Sequence, residues 1–353
     1  MATIIDSGLR TQDELCSDID FVIPWVDGSD TEWQKQKSLY STNQHEILGV
    51  NGVIRYRDWG ILRYWFRTVE KFAPWVRKIH FITCGQVPEW LNLNHPKLNF
   101  VRHEEYIPHQ WLPTFSSHAI ELNIFRIKGL SEKFVYLNDD TFINASVRPE
   151  DFFVNNLPCA CAALTAGPIG IENKEKNNIP YISLNDIQVI CRHFDFRKQF
   201  LANISKWINF RYDAKALTKT FLLLPFMRYT GFHECHTANS YLKSTFIEVW
   251  EKEKDILEET SSHRFRDKSD VNQWLMEYWQ IMSGKFFPKR TRTIAGYNID
   301  PDNLKSAVYD VKHHKHKVIC LNDGEATINF DEASSKLQQA YSEVFPDKSE
   351  YEL

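Results

Sequence analysis

The sequence predicts an α/β fold in which helices cover a mainly parallel β-sheet. Short apolar runs typical of buried strands alternate with amphipathic helical patterns between residues 19 and 143. Polar residues or glycine follow several of these runs directly, at Asp27, Gly85 and Asp140. Because the strands of a parallel sheet all end at one edge, these residues are expected to lie along that edge. Open α/β sheets bind ligands there, so we expect the functional site at the same place.

The elements of the first half follow from residue spacing. Residues 57–72 place apolar side chains at helical intervals, and Pro74 marks the end of that helix. Thr114 and the serines after it supply N-cap residues for a helix that should run to about Gly129 and carry Glu121 in its first turns. The strands of this half are expected at 19–25, 78–84 and 98–102, and in the apolar run that begins at Lys133 and ends in residues 138–140.

The pattern changes after about residue 150. The segment 192–219 holds seven Lys or Arg residues against two Asp residues, interleaved with aromatic side chains. Such a segment suits a surface that touches anionic lipid or a charged polymer, and equally a solvated helical subdomain with an aromatic core. Helices are then expected at 237–259, 268–283 and 331–344, with a strand at 317–321. The expected parts are an N-terminal tail (1–18), an α/β half (19–149), a helical accessory segment (150–232) and a C-terminal part that completes the catalytic domain (233–353).

Composition argues against several classes of protein. The net charge of −4 gives no support for a nucleic-acid partner. The seven cysteines form no CxxC pair or disulfide framework, so reduced thiols in the cytoplasm are expected. Residues 1–20 are polar and acidic, unlike a signal peptide, and no apolar run reaches the roughly 20 residues of a membrane span. We expect a cytoplasmic protein, with peripheral contact at the inner face of the cell membrane as an open alternative.

The segment 133–143 is the most informative of the chain. Its apolar run ends in Asn138, Asp139 and Asp140. Burying two carboxylates is costly without a cation, and hard divalent cations that bridge phosphates take such oxygens. An Asp-rich turn without a metal is the open alternative. The chain lacks GxxxxGKS/T, GxGxxG and GxSxG, so neither common phosphate cradle nor a nucleophile elbow is expected.

Further polar residues stand next to the predicted ends of helices. Glu121 lies early in one helix, His236 precedes the next, and Arg266 precedes the one after that. Phosphoryl transfer needs a metal that neutralises phosphate charge, an arginine for the transition state and a base for the attacking hydroxyl. The three residues and the carboxylate pair supply these types of group. For the histidine, a capping or surface role is the alternative.

Long segments of the chain, in a fixed order, resemble one known family. They are IDFVIPWVDGSD (19–30), APWVRKI (73–79), GQVPEWLN (85–92), LPTFSSHAIE (112–121), KFVYLNDD (133–140), His236 with the residues after it, Arg266 with Asp270, and CLND (320–323). This pattern is similar to that of the Stealth family of sugar-1-phosphate transferases, which includes bacterial capsular-polysaccharide phosphotransferases. The resemblance spans about 19–352, apart from 150–230. Pro24 departs from it, because the family usually has Thr there.

The resemblance implies a reaction and a set of site residues. The fold would be Rossmann-like or GT-A-like, and the enzyme would move a sugar-1-phosphate from a UDP-sugar to a hydroxyl of a lipid-linked or growing polysaccharide, releasing UMP. A metal-dependent GT-A glycosyltransferase, which releases UDP, and a non-catalytic carbohydrate-binding protein are the alternatives. The implied residues are Glu121, Asp140, His236 and Arg266 for catalysis, Trp25, Asp27, Gly28, Asp30 and Asn322 for donor binding, and Asp139 with Asp140 as ligands of Mg²⁺ or Mn²⁺.

Overall fold

Strands and helices alternate along most of the computed structural model, which describes residues 18–41, 52, 56–167, 179–233, 237–323 and 329–353. The strands are β1 (Ile19–Pro24), β2 (Ile79–Thr83), β3 (Leu98–Arg102), β4 (Lys133–Tyr136), β5 (Thr141–Ile143), β6 (Phe153–Val154), β7 (Leu157–Ala160), β8 (Asn239–Leu242), β9 (Phe287–Pro288), β10 (Ile294–Ile299) and β11 (Val318–Asp323). The α-helices are α1 (Thr31–Tyr40), α2 (Leu62–Phe72), α3 (Ser117–Leu122), α4 (Ile179–His193), α5 (Phe196–Ala202), α6 (Ile204–Trp207), α7 (Ala214–Leu223), α8 (Lys243–Lys252), α9 (Lys254–Ser262), α10 (Trp274–Met282), α11 (Leu304–His313) and α12 (Phe330–Val344).

The main sheet has the strand order β3-β2-β1-β4-β8. The first four strands are parallel, and β8 runs antiparallel to β4. Side chains alternate between two buried faces, so that Val22 and Phe134 enter one hydrophobic core while Phe21 and Val135 enter the other. Burial on both faces is typical of parallel sheets covered by helices. The expected α/β class with a mainly parallel sheet and a helical accessory segment is confirmed.

A second sheet, in the order β10-β11-β5, brings the C-terminal part of the chain beside the end of β4. The backbone N–H of Leu321 in β11 donates to the carbonyl of Asp140 at 2.8 Å. The strand expected from Lys133, ending in the polar residues 138–140, is present as β4, and the residues after them form β5 of the second sheet. Asn138 makes the break, since its carbonyl accepts the N–H of Thr141 at 2.9 Å and turns the chain.

Two helices of the first half are shorter than the spacing predicts. The helix expected from residue 57 begins at Leu62, because Gly60 adopts a φ of +69° and its N–H donates to the side chain of Asp58 at 2.8 Å. Helix α3 ends at Leu122 instead of continuing to Gly129. A short 3₁₀ turn follows it at Ile124–Arg126. Glu121 consequently lies in the last turn of its helix.

The helix expected at 237–259 is wrong at its start. Strand β8 occupies the first part, where Tyr241 pairs with Phe134, and the helical part divides into α8 and α9. Backbone pairing with β4 therefore overrides the helical spacing of the apolar residues. The next helix begins at Trp274, not at residue 268, and the side chain of Asn272 accepts its first N–H at 3.0 Å. Among the described helices, none has the length and apolar character needed to cross a bilayer.

Candidate functional site

A pocket of about 280 Å³ lies at the carboxyl ends of β1 and β4, where the second sheet and α3 meet them. Both halves of the chain contribute to its walls. Six of the residues predicted for the site line it: Trp25, Glu121, Asp139, Asp140, Arg266 and Asn322. Further polar side chains that line it include Arg57, Asp58, Ser117, His118, Tyr136 and Asp323.

Asp139 and Asp140 give one wall of the pocket a concentrated negative charge. Burial, followed by the charges of Asp140 and Asp58, raises the pKa of Asp139 to about 7. Asp139 keeps an exposed surface and lines the pocket, while the protein packed around its carboxyl group desolvates that group. Asp140 accepts a hydrogen bond from the hydroxyl of Thr141 at 3.2 Å. A cation at this wall would relieve the repulsion between the carboxylates.

The donor set fits a hard divalent cation that also binds phosphate. Within the described ranges, no three Asp, Glu, His or Cys side chains form a cluster able to hold a metal ion. A closed protein cage is not needed, because Mg²⁺ commonly binds one or two carboxylates and takes its other ligands from water and substrate phosphates. Asp139 and Asp140 match that kind of site.

Glu121 also lines the pocket and is buried. Its Oε1 accepts a hydrogen bond from the hydroxyl of Tyr136 at 3.0 Å. Its Oε2 is buried and makes no hydrogen bond of normal geometry with the part of the chain that the structure describes. Burial raises the pKa of this carboxyl, and the positive charges of His118 and Arg266 act against the rise. A desolvated carboxyl of this kind is suited to proton transfer.

Hydrogen bonds join His118 and Arg266, the two residues whose charges act on Glu121, to other parts of the chain. Nδ1 of His118 and Nδ1 of His263 each lie 2.7 Å from one carboxylate oxygen of Asp270, whose side chain is fully buried. Burial alone would raise the pKa of Asp270, but hydrogen bonds from the two histidines outweigh it and the pKa is lowered. Arg266 donates from Nη2 to the hydroxyl of Ser117 at 2.9 Å. Helix α3 and the segment before α10 are thereby joined beside the pocket.

The loop expected to bind the donor reaches the pocket through its first residues, Trp25 and Val26. The ring of Trp25 lines the pocket and stacks on Phe81 at a centroid distance of 5.8 Å. Asp27, Gly28 and Asp30 do not line it. Asp27 accepts hydrogen bonds from Ser29, and Asp30 caps α1 by accepting the N–H groups of Glu32 and Trp33.

Gly28 is held against the backbone of Tyr56. Its N–H donates to the carbonyl of Tyr56 at 3.1 Å, and a Cβ at this position would lie only 2.1 Å from the same oxygen. Any side chain would therefore displace Tyr56, which lines the pocket. A donor-binding role for Asp27, Gly28 and Asp30 stays a prediction. Their hydrogen bonds stabilise the conformation of the loop.

Aromatic side chains form the wall beside this loop. Trp33, Tyr56 and Phe115 line the pocket, with ring centroids 5.0 Å apart for Trp33 and Tyr56 and 5.7 Å apart for Trp33 and Phe115. Flat aromatic faces of this kind can bind the face of a base or the apolar face of a sugar. The wall therefore suits the organic part of a ligand whose charged part lies at the carboxylates and arginines.

His236 lies outside the described residues, as does Glu234. His233, the last described residue before this gap, donates its backbone N–H to the carbonyl of Ala163 at 2.8 Å. The catalytic role expected of His236 stays a prediction.

Sequence reasoning missed an ion pair at the edge of the pocket. Arg57 donates from Nε and Nη2 to the two carboxylate oxygens of Asp323 at 2.7–2.9 Å. Asp323 could have been found, because it stands at the carboxyl end of a strand in the same way as Asp140. Arg57 gave no such signal, since it falls at the start of a segment whose apolar spacing suggested a helix.

Comparison with known proteins gives matches along nearly the whole chain. Residues 17–44 match Stealth protein CR1, conserved region 1, and residues 55–160 match Stealth protein CR2, conserved region 2. A capsular polysaccharide phosphotransferase, WcwK of Streptococcus pneumoniae, is 44% identical over 95% of this chain and 98% of its own length. The receptor polysaccharide phosphotransferase WefC of Streptococcus gordonii is 41% identical over 95% and 99% of the two chains.

A third relative extends the similarity to another genus. The exopolysaccharide phosphotransferase cps2G of Lactiplantibacillus plantarum is 37% identical over 95% of this chain and 96% of its own length. The two conserved regions contain most of the strand ends that build the pocket, including those that carry Trp25 and Asp140. With family regions matched in order and relatives covered almost from end to end, the chain belongs to the Stealth family.

Proposed function

We propose that this protein is a capsular or cell-surface polysaccharide phosphotransferase that moves a sugar-1-phosphate from a UDP-sugar to a hydroxyl of an acceptor sugar. The activities for which its relatives are named, capsular, receptor and exopolysaccharide phosphotransferase, support the general activity. The observation that carries the finer proposal is the composition of the pocket, in which Asp139 and Asp140 face the same space as Glu121 and Arg266. Acidic, basic and proton-accepting groups are thus available together for chemistry on a diphosphate.

The reaction is a displacement at the β-phosphorus of the donor. The oxygen of the acceptor hydroxyl forms a bond to this phosphorus, and the bond from it to the oxygen that bridges the two phosphates breaks. The electron pair leaves with that oxygen as UMP, and the product is a sugar–phosphate–sugar diester. The proton of the acceptor hydroxyl passes to a base on the protein.

Asp139 and Asp140 would hold Mg²⁺ or Mn²⁺ against the diphosphate. When bound, the cation neutralises phosphate charge and favours departure of UMP. Arg266 is the protein's own positive group for the phosphoryl oxygens, and its hydrogen bond to Ser117 fixes the direction of the guanidinium. The aromatic wall of Trp33, Tyr56 and Phe115 would take the uracil or a sugar ring.

Glu121 is the described residue best suited to accept the proton. Two opposing effects act on the pKa of this carboxyl. Burial favours the protonated form, while the charges of His118 and Arg266 favour the ionised form. A base that is ionised but poorly solvated takes up a proton readily. His236 remains the second candidate for this step.

Product analysis tests the proposal. The protein would be incubated with a panel of UDP-sugars, Mg²⁺ and short acceptor saccharides, and the nucleotide product separated by chromatography. We expect UMP, with a ³²P label from the β-position recovered in the saccharide. Release of UDP with an unlabelled saccharide would instead identify a GT-A glycosyltransferase. Arg266→Gln should remove the activity, while the exposed Arg292→Gln provides a matched control with the same change of charge.

A further inference from the structure

The accessory segment exposes large apolar side chains on its outer surface. In and after α7, the exposed fractions are 53% for Phe221, 69% for Leu222 and 67% for Phe226. Phe221 and Leu222 are adjacent in the last turn of the helix, and Phe226 lies in the 3₁₀ turn Leu224–Phe226 that follows directly. The three side chains therefore occur together at one end of α7. Clusters of this kind on a folded protein mark a surface that meets something apolar.

The opposite face of α7 packs against the rest of the protein. Ala216 and Thr220 are buried, and the hydroxyl of Thr220 accepts the N–H of Leu164 at 2.9 Å. Helical spacing puts Lys215 and Leu222 on the other side, about two turns apart on the same face. The helix cannot rotate to bury its apolar end without breaking these contacts.

The charges around this apolar end are positive. Lys215 and Arg228 are exposed. Lys219, which lies between them in the sequence, is half-buried. The one acidic residue of the stretch 210–228 is Asp213, whose carboxylate is already used by the N–H of Ala216 and the hydroxyl of Thr291. The exposed apolar residues of this stretch are thus flanked in sequence by basic residues.

We propose that this face of α7 docks on an anionic membrane surface. We call it the docking face, defined by Lys215, Lys219, Phe221, Leu222, Phe226 and Arg228. Aromatic and aliphatic side chains enter the boundary between headgroups and acyl chains, while lysine and arginine bind the anionic headgroups. A protein partner would not need a cationic margin, whereas an anionic lipid surface attracts each of these charges.

The docking face belongs to a segment that also lines the pocket. The same accessory segment reaches the pocket through Ile179 and Ile182 of α4, which line it. Attachment through α7 would therefore hold the pocket near the membrane, where a lipid-linked saccharide is found. The docking proposal goes beyond the transfer reaction and does not depend on it.

Flotation with lipid vesicles tests the docking face. The full chain would be mixed at low salt with vesicles of one part phosphatidylglycerol to two parts phosphatidylcholine, or of phosphatidylcholine alone. We expect binding to the anionic vesicles that weakens at physiological salt, and much weaker binding to the neutral ones. The triple variant Phe221→Ser, Leu222→Ser, Phe226→Ser should lower the bound fraction about tenfold. The variant Lys215→Gln, Lys219→Gln should lose mainly the preference for anionic vesicles.

Controls separate docking from folding and from self-association. Tyr309→Ser, which removes a side chain that is 55% exposed on α11, should bind vesicles like the unchanged protein. Release of UMP with a soluble acceptor should be unchanged in the triple variant, because the docking face does not line the pocket. Unchanged vesicle binding by the triple variant would overturn the proposal. A concentration-dependent dimer that the same variant abolishes, without vesicle binding by the unchanged protein, would also overturn it and assign the face to a second copy.

Discussion

His118 and Asp270 form a hydrogen bond of 2.7 Å across 152 positions of sequence, and the charge of His118 acts on the buried carboxyl of Glu121. Asp270 is fully buried, and it also accepts the N–H of Asp267 at 2.9 Å. Because the carboxylate binds Nδ1, the imidazole of His118 is held in one orientation at the wall of the pocket. Burial raises the pKa of Glu121, and the positive charge of that ring is one of the influences that oppose the rise.

Removal of His118 should move the acid side of the pH–rate profile. If Glu121 accepts the proton, activity is lost as the pH falls through its pKa. His118→Gln removes a charge that lowers this pKa, so the loss should begin at a higher pH. Asp270→Asn should act in the same direction by releasing the ring, while Glu121→Gln should abolish this side of the profile. The measurement is UMP release as a function of pH, with circular dichroism to verify folding.

Two results would contradict this arrangement. An unchanged acid side in His118→Gln would show that the imidazole does not act on the proton acceptor. A uniform fall in rate at every pH, with no shift, would show that His118 and Asp270 only support the fold. Recovery of the ³²P label in the saccharide verifies that each variant still catalyses the same transfer reaction.

The strand ends were predictable because they depend on local sequence. Asp140 follows an apolar run, and the edge of a parallel sheet collects such residues whatever the exact strand bounds. The pair of His118 and Asp270 was not predictable from residue pattern, because only tertiary packing brings together residues so far apart in the chain. The same limit explains β8, where Tyr241 continues a helical spacing but pairs with Phe134 in the sheet.

The carboxylate pair should control the need for a divalent metal. Asp140→Asn should lower transfer about a hundredfold or more, because the diphosphate would lose the cation's charge. Asp139→Asn should raise the Mg²⁺ concentration needed for half-maximal rate, and EDTA should stop the unchanged protein reversibly. The exposed Asp302→Asn is the matched control for charge and should behave like the unchanged protein. Full activity in EDTA would rule out a metal role for both carboxylates.

We expect Asp323 to hold Arg57 in place and Arg57 to bind the donor. Asp323 uses Nε and Nη2 of Arg57, and no hydrogen bond within the described parts of the chain uses Nη1. That amino group is therefore available at the pocket for a phosphate oxygen. Arg57→Lys should raise the KM for the UDP-sugar about tenfold, because lysine cannot keep the two-point contact with Asp323 and also reach the ligand.

A double-mutant cycle identifies how this pair acts. Asp323→Asn should raise the same KM, and the double variant should show less than the sum of the two changes. Additive changes would mean that the two residues act separately. An unchanged KM in Arg57→Lys would remove the arginine from donor binding and leave it a structural role.

A second ion pair, whose residues do not line the pocket, should give the protein a pH-dependent stability. Arg67 donates to both carboxylate oxygens of Glu352 at 2.6 and 2.7 Å, and both side chains are almost fully buried. Burial opposes ionisation of Glu352, but the hydrogen bonds from Arg67 outweigh it, and the pKa is lowered. A lowered pKa contributes stability above the pKa of the unfolded chain, and this contribution is lost as the pH falls through the folded value. Glu352→Gln should therefore lower the free energy of unfolding by about 3 kcal/mol near neutral pH, since it leaves a buried guanidinium without its counter-charge.

Urea denaturation at several pH values measures this contribution. The difference between the unchanged protein and Glu352→Gln should be largest near neutral pH and should shrink in acid, where Glu352 itself becomes protonated. Glu332→Gln is the control, because its ion pair with Lys336 is solvent-exposed and should contribute little at any pH. A difference that stays constant from neutral to acid pH would mean that packing of the side chain, not its charge, is what stabilises the C-terminal end.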